Sequence, residues 1–215
     1  MPFTNRADAG RRLAAALMQY RDVRPVVLAL PRGGVPVAAE IAAALDAPLD
    51  LVLVRKIGVP IQPELAMGAV VDGGEPVIVR NEDVIRIEGI SEKEFKAVCD
   101  EELAEIERRR TRYLGNRPHP PLADHTVIVV DDGIATGATT RAALRALRQH
   151  QPRRLVLAVP VAPTESLHAL RREADDVVCL EDYLDFGAIG QFYGDFRQVS
   201  DDEVIALLAA HPVKA

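Results

Sequence analysis

Two adjacent acidic residues and the loop of small residues after them form the segment of the chain best suited to chemistry. Four β-favouring residues, Val127–Val130, precede Asp131 and Asp132, and the run Gly133-Ile-Ala-Thr-Gly-Ala-Thr139 follows. Small residues let backbone N–H groups face a ligand, and a helix start adds unpaired donors and the positive end of its dipole. The pattern therefore predicts a phosphate site. The two carboxylates would repel a bare phosphate, but they suit sugar hydroxyls or hydrated Mg²⁺.

The loop differs from two familiar phosphate-binding motifs. It contains no Lys, as a P-loop requires, and it lacks the Gly-x-Gly-x-x-Gly spacing of dinucleotide sites. A phosphate monoester therefore suits it better than a nucleoside triphosphate. The alternative is that Asp131 and Asp132 only cap a turn, but the segment Thr136-Gly-Ala-Thr139 at fixed spacing favours the ligand site.

Alternating apolar strands and helices surround this segment. Helices are predicted over residues 5–20 (capped by Asn5 or Thr4), 35–46, 138–150 and 164–173, and strands over 26–30, 49–54, 126–130, 154–160 and 176–180. Strands that are apolar on both faces favour a parallel sheet covered by helices. The carboxyl ends of such strands form the ligand crevice, which is where Asp131 and Asp132 are expected.

A less regular stretch separates the two halves of this pattern. Residues 57–68, with two Pro and two Gly, are predicted to form a loop, and 69–80 a hairpin around Asp72-Gly-Gly-Glu75. A capping box, Ser91-Glu-Lys-Glu94, opens a charged helix to about Arg112. The charges on that helix are interpreted as a solvated face with i,i+4 pairs. A last helix is expected from about Ser200 to Ala210.

Composition limits the function classes. The 215 residues are 48% hydrophobic and 27% charged, with a formal net charge of −6, which is typical of one core-forming domain and argues against nucleic-acid binding. No apolar run approaches the ~18 residues of a membrane span, and the chain start has no signal-peptide core, so a cytoplasmic protein is expected. Cys99 and Cys179 are interpreted as reduced core residues, and the five histidines as surface or capping residues. The sequence contains no visible nucleophile–base constellation.

The run 127–139 resembles the 5-phosphoribosyl 1-pyrophosphate signature of the type I phosphoribosyltransferases: four apolar residues, two acids, two spacers and a Thr/Gly-rich loop. The order of elements is also similar over roughly residues 5–180, and the similarity is greatest to a bacterial subgroup of predicted phosphoribosyltransferases whose acceptor base is not established. The resemblance implies an α/β fold with three layers, a mainly parallel twisted sheet flanked by helices. It implies a single domain, 1–215, with a core of about 5–180, an inserted hairpin and helix at 69–114, and a small hood and C-terminal helix at about 181–210.

The resemblance also implies roles for the acidic pair and its loop. Asp131 and Asp132 would hold the ribose hydroxyls, directly or through Mg²⁺-bound water, with no direct protein ligand to the metal. The 5′-phosphate would be held by the loop residues Ala135, Thr136, Gly137, Ala138 and Thr139. Two positions depart from the family pattern: Ala135 replaces a frequent hydroxyl residue, and Gly133 replaces a usual aliphatic residue. Neither difference removes a backbone donor, so we expect the affinity for the ligand to be less finely tuned rather than lost.

A second phosphate site is predicted at Pro31-Arg-Gly-Gly34, after the first strand. Arg32 can pair with a phosphate in a forked geometry, and Gly33 and Gly34 permit unusual backbone conformations. Family members have a pyrophosphate loop here, often with a strained or cis peptide. Alone, the segment also fits an ordinary turn with a surface Arg. Arg55 and Lys56 end the second predicted strand, where they either neutralise the leaving pyrophosphate or lie at the surface. Residues 57–68 are the candidate lid.

The acceptor should be recognised by a hood over the sugar. Tyr183 and Phe186, with Phe192 and Tyr193, either stack on a heterocycle or form the apolar underside of the hood. The function that the resemblance implies is Mg²⁺-dependent transfer of the 5-phosphoribosyl group from 5-phosphoribosyl 1-pyrophosphate to a nitrogenous base of purine or pyrimidine salvage. The alternative is a non-catalytic regulator of nucleotide metabolism that senses the same ligand. Family analogy suggests a homodimer, with no nucleic-acid or membrane partner.

Overall fold

The computed structural model describes residues 2–72 and 76–212. Seven α-helices and eight strands lie in these ranges. In chain order they are α1 (Arg6–Ala16), β1 (Val26–Ala29), α2 (Gly34–Leu45), β2 (Leu49–Leu51), β3 (Leu53–Val59), β4 (Gln62–Asp72), β5 (Pro76–Arg80), α3 (Glu82–Ile87), α4 (Glu92–Leu114), β6 (Thr126–Val130), α5 (Ala138–Gln149), β7 (Arg154–Pro163), α6 (Thr164–Leu170), β8 (Asp176–Tyr183) and α7 (Asp201–Ala210). Short 3₁₀ helices cover Met18–Val23 and Ile189–Phe192.

Five strands form a parallel sheet in the order β2-β1-β6-β7-β8. Side chains alternate between its faces because successive residues of a strand point to opposite sides. Ile128 and Val130 pack in one cluster with α1, α2 and α7, while Val127 and Val129 pack in a second cluster with α5 and α6. These layers confirm the predicted α/β class with helices on both faces of a mainly parallel sheet.

The remaining strands form a separate antiparallel sheet in the order β3-β4-β5, which contacts both α4 and α5. The prediction of a loop over 57–68 was wrong, because most of this segment pairs as a β3–β4 hairpin. The predicted strand 49–54 is divided between β2 and β3, so Arg55 and Lys56 lie inside β3 rather than at a strand end. The antiparallel pairing of β4 with β5 confirms the predicted hairpin, although residues 73–75, which the prediction included, lie outside the described residues.

Several helix ends follow from local sequence. Asn5 caps α1 by accepting a hydrogen bond from the Asp8 N–H, and Ser91 forms the predicted capping box with Glu94 at α4. Helix α4 begins as expected and runs two residues beyond the predicted end, to Leu114. The interpretation of all histidines as surface or capping residues was wrong for His119, whose Nδ1 lies 2.7 Å from Oδ2 of the buried Asp50.

Candidate functional site

The acidic pair lies at the carboxyl end of β6, the central strand of the parallel sheet. Asp132 is 7% exposed and Asp131 is half-buried. The backbone N–H of Asp132 donates to Oδ1 of Asp131 at 2.8 Å, which orients the Asp131 carboxylate against the backbone of Asp132. The strand therefore delivers both acids to the edge of the sheet where ligands bind in open α/β folds.

The surroundings of the pair disfavour two bare negative charges. Burial raises the pKa of Asp131 well above its ordinary value, and the adjacent charge of Asp132 raises it further. Burial also raises the pKa of Asp132, although the guanidinium of Arg6 opposes this effect. Hydroxyl donors or a cation bound beside these carboxylates would offset the cost of their burial.

The loop after the pair presents unused backbone donors. Its start is fixed by a hydrogen bond from the Ile134 N–H to the Val161 carbonyl at 2.9 Å, and Ser166 Oγ donates to the Ala135 carbonyl at 2.8 Å. The backbone N–H groups of residues 135–139 donate to no acceptor within the described parts of the chain. Gly137, with φ of 73°, is the N-cap of α5, so these donors meet at a helix start, which suits an anion. The predicted phosphate loop thus has its donors available.

The predicted second loop lies directly against the acidic pair. A Cβ added to Gly33 would come within 2.1 Å of Asp132 Oδ2, and one added to Gly34 within 2.7 Å of the Val130 carbonyl oxygen. Only glycine permits so close an approach. The peptide bond between Pro31 and Arg32 is cis. Two segments that are about 100 residues apart in the chain are therefore brought together at one site.

The three cationic side chains that were predicted near the phosphate groups lie at different places in the structure. Arg32 pairs with Asp201 at the start of α7 (3.5 Å), and Arg55 donates through Nε to Glu102 of α4 (2.6 Å). Arg55 borders a cavity of about 130 Å³ that Asp131 and Thr139 also line. Lys56 Nζ instead lies 3.2 Å from Glu64 Oε2, and Lys56 lines a different cavity. The structure thus brings Arg55, but not Lys56, to the acidic pair.

Arg6 is a site residue that the sequence prediction missed. Its Nε donates to Asp132 Oδ2 at 2.7 Å, and its Nη1 donates to the Arg197 carbonyl at 2.8 Å. The guanidinium lies 3.9 Å from the ring centroid of Phe196 and is largely buried. Arg6 therefore links the start of α1, the C-terminal segment and the sugar-binding acid of the predicted site.

The predicted hood is an aromatic cluster formed by both ends of the chain. Phe3 pairs with Tyr193 in an isolated parallel bridge, and the buried Tyr193 hydroxyl donates to the Asp132 carbonyl at 2.6 Å. Tyr183 and Phe186 both stack on Phe192, with ring centroids 4.7 and 4.9 Å apart. These rings are half-buried, so contact of Tyr183 or Phe186 with an acceptor stays a prediction. None of the helices in the described residues has the length and apolarity needed to span a bilayer.

Comparison with known proteins gives consistent matches. A family model described as "Phosphoribosyl transferase domain" matches residues 3–197. Proteins named "Putative phosphoribosyl transferase" from two strains of Mycobacterium tuberculosis are each 48% identical over 206 residues, which is 96% of this chain but 46% of theirs. The crystal structure of TT1426 from Thermus thermophilus is 42% identical and superposes with a TM-score of 0.86 over 99% of this chain and 100% of that chain. The chain thus spans about half the length of the curated relatives, and over nearly all of its own length it belongs to the phosphoribosyl transferase family.

Proposed function

We propose that the chain transfers the 5-phosphoribosyl group of 5-phosphoribosyl 1-pyrophosphate to a ring nitrogen of a base, with release of pyrophosphate. Two observations carry the proposal: the glycine loop at 33–34 lies against the acidic pair, and the backbone N–H groups of residues 135–139, which follow that pair, donate to no acceptor in the described residues. Family membership supports the transferase class. Because the curated relatives are about twice as long, the proposal concerns the chemistry of this chain and not that of a longer protein.

Each part of the ligand has a proposed partner. The 5′-phosphate would accept hydrogen bonds from the N–H groups of residues 135–139. Asp131 and Asp132 would accept hydrogen bonds from the ribose hydroxyls, which offsets the burial of their charge. The pyrophosphate would lie on the loop 32–34 near Arg55. The sugar is then fixed at three points, which supplies the positioning that displacement at its reactive carbon requires.

The reaction breaks the bond from the ribose carbon to a pyrophosphate oxygen, and the electron pair leaves with that oxygen. The lone pair of the base nitrogen forms the new bond to the carbon, and the nitrogen proton passes to water. Side chains here contribute by binding and by stabilising charge, not by nucleophilic attack. Carboxylate oxygens suit hydrated Mg²⁺, so Asp131 and Asp132 would hold that ion through its bound water, and the ion would supply positive charge that offsets the charge of the pyrophosphate.

The site is tested by the double variant Asp131→Asn, Asp132→Asn, which keeps the side-chain shape and removes the charge. Each hydrogen bond to a charged group contributes about 1.5–3 kcal/mol. We therefore expect Mg²⁺-dependent affinity for the sugar pyrophosphate to fall by at least about 100-fold in calorimetry. Asp22→Asn, at an exposed carboxylate of the 3₁₀ helix Met18–Val23, is the control. Unchanged affinity in the double variant, with the fold intact, would refute the site assignment.

The same geometry would also suit a regulator that binds the ligand without reaction. Measurement of turnover distinguishes this regulator from a transferase. The wild-type chain is incubated with Mg²⁺, the sugar pyrophosphate and a panel of purine, pyrimidine and pyridine bases, and pyrophosphate release is measured. Release that depends on one base supports the transferase and identifies its acceptor. Tight binding without release on any base would favour the regulator.

A further inference from the structure

The cavity beside the acidic pair is bordered by a residue of the inserted helix α4. Arg109 of this helix lines the cavity of about 130 Å³ together with Arg55, Pro31, Asp131 and Thr139. Pro31 belongs to the glycine loop, and Thr139 lies in the first turn of α5. The cavity therefore lies between the loops proposed to hold the two phosphate-bearing ends of the sugar, and its volume exceeds the ~30 Å³ share of one water several times.

The two arginines are held in the same way. Arg55 donates through Nε to Glu102 at 2.6 Å, and Arg109 donates through Nε to Glu105 at 2.7 Å; both glutamates belong to α4. The terminal nitrogens of both guanidinium groups donate to no acceptor in residues 2–72 and 76–212. A guanidinium that is fixed at Nε keeps its forked terminal N–H groups available for phosphate oxygens.

We propose that Arg109 is the second cation, beside Arg55, that binds the pyrophosphate group of the sugar ligand. This inference rests on the proposed function and adds to it a residue from outside the family motifs. Of the other two cations that the sequence offered, Lys56 is 3.2 Å from Glu64 and borders a separate cavity, and Arg32 pairs with Asp201 at 3.5 Å. Helix α4, interpreted from sequence as a solvated charged helix, then completes the leaving-group end of the site.

The variant Arg109→Gln tests the proposal, with Arg108→Gln as its matched control. Both arginines pair with Glu105, but Arg108 is exposed and does not line the cavity. In Arg109→Gln the glutamate keeps both of its hydrogen bonds from Arg108, so the local fold is retained. Calorimetry with Mg²⁺ and three probes (5-phosphoribosyl 1-pyrophosphate, inorganic pyrophosphate and ribose 5-phosphate) measures which part of the ligand loses affinity.

We expect Arg109→Gln to weaken binding of the sugar pyrophosphate and of inorganic pyrophosphate by about 10- to 100-fold, and that of ribose 5-phosphate by less than about 2-fold. Arg108→Gln should leave all three affinities within about 2-fold of wild type. Arg109→Lys should restore part of the loss, because a lysine supplies charge without the fork.

Three results would overturn the inference, and they differ in what else they affect. Equal affinities for wild type and Arg109→Gln would reject the role of Arg109 while leaving the proposed function in place. If Arg109→Gln lost affinity for ribose 5-phosphate to the same extent as for the pyrophosphate compounds, the role of Arg109 would be structural. A wild-type chain that binds neither pyrophosphate compound would reject the proposed function and this inference together.

Discussion

The carboxylate of Asp132 is shared between the protein and the proposed ligand. Arg6 donates to Oδ2 at 2.7 Å, and the missing Cβ of Gly33 lets the glycine loop lie against the same oxygen. Oδ1 accepts no hydrogen bond from the described residues. Since a carboxylate offers about four acceptor positions, Arg6 neutralises Asp132 in the absence of ligand and still leaves an oxygen for a sugar hydroxyl. Arg6 is thus both a structural and a site residue.

The stability of the protein should depend on this pair. Both side chains of the Arg6–Asp132 pair are about one-tenth exposed, and removal of one partner from a buried pair typically costs about 3–5 kcal/mol. We expect Arg6→Gln to lower the free energy of unfolding by about 3 kcal/mol in urea titrations, and Asp132→Asn to recover part of that loss in the double variant. Arg12→Gln, which removes a surface pair on the same helix, should cost less than about 1 kcal/mol. Equal losses for the two arginine variants would contradict the prediction.

Individual site residues differed in how far the sequence could reveal them. Asp131, Asp132 and the loop 133–139 were identified because strand, acids and helix start are adjacent in the chain, and the structure places them as predicted. Arg6 and Arg109 were missed because charged residues on a helix resemble a solvated face. Their roles depend on contacts such as Arg6–Asp132, which joins residues 126 positions apart. Local patterns carry no information on such contacts.

At the scale of elements, the parallel sheet was predicted well and the hairpin at 57–68 was not. The sheet strands are continuous apolar runs with helices between them, which is a strong signal. Gly58, Pro60 and Pro63 resembled loop punctuation instead. The hairpin accommodates them because its register is irregular around Gly58, Pro60 lies in the turn, and Pro63 lies on the exposed part of β4.

The contact between hood and core depends on the absence of a side chain at Gly133. An added Cβ would lie 2.6 Å from Ile189 Cγ2 in the 3₁₀ helix Ile189–Phe192 and 3.1 Å from Val161 Cγ1. The aliphatic residue usual at this position in the resembled family would therefore collide with Ile189. This chain instead places a hood side chain above the loop.

We therefore expect Gly133→Ala to destabilise the protein by about 1–3 kcal/mol, as overpacking usually does. Ile189→Ala in the same chain should restore part of the loss, because it removes the atoms that the new methyl group meets. Ile205→Ala on α7 is the control and should add to the loss rather than relieve it. Unfolding free energies of the single and double variants decide the matter. If the losses of unfolding free energy for Gly133→Ala and Ile189→Ala were purely additive, the methyl group added at position 133 would not collide with Ile189.

At the scale of the whole molecule, the linker between α4 and β6 joins distant parts of the fold. Arg117 of this linker donates to the Leu49 carbonyl in β2 at 2.6 Å and to the carbonyls of Leu208 and His211 at the end of α7. Two residues later, His119 pairs with Asp50, whose side chain is 2% exposed. The linker thereby connects the edge strand of the parallel sheet to the C-terminal helix.

The His119–Asp50 pair should make global stability depend on pH in one direction. The hydrogen bond to Asp50 raises the pKa of His119; burial and Arg110 oppose this shift, and the charges of Asp50 and Asp72 reinforce it. A histidine whose pKa is raised by folding stabilises the protein fully below its unfolded pKa of about 6.5, and this contribution is lost as the pH rises through the folded value. Nearby Arg117 keeps its own bonds to backbone carbonyls.

We therefore expect His119→Gln to lower the free energy of unfolding by about 1.5–3 kcal/mol at pH 6, the range for a hydrogen bond to a charged group, and by clearly less at pH 9. His168→Gln, at an exposed position of α6, is the control and should change stability little at either pH. Urea unfolding of both variants and the wild type at the two pH values measures the difference. A cost for His119→Gln that does not decrease between pH 6 and pH 9 would mean that the proton on His119 contributes nothing to holding the linker against β2.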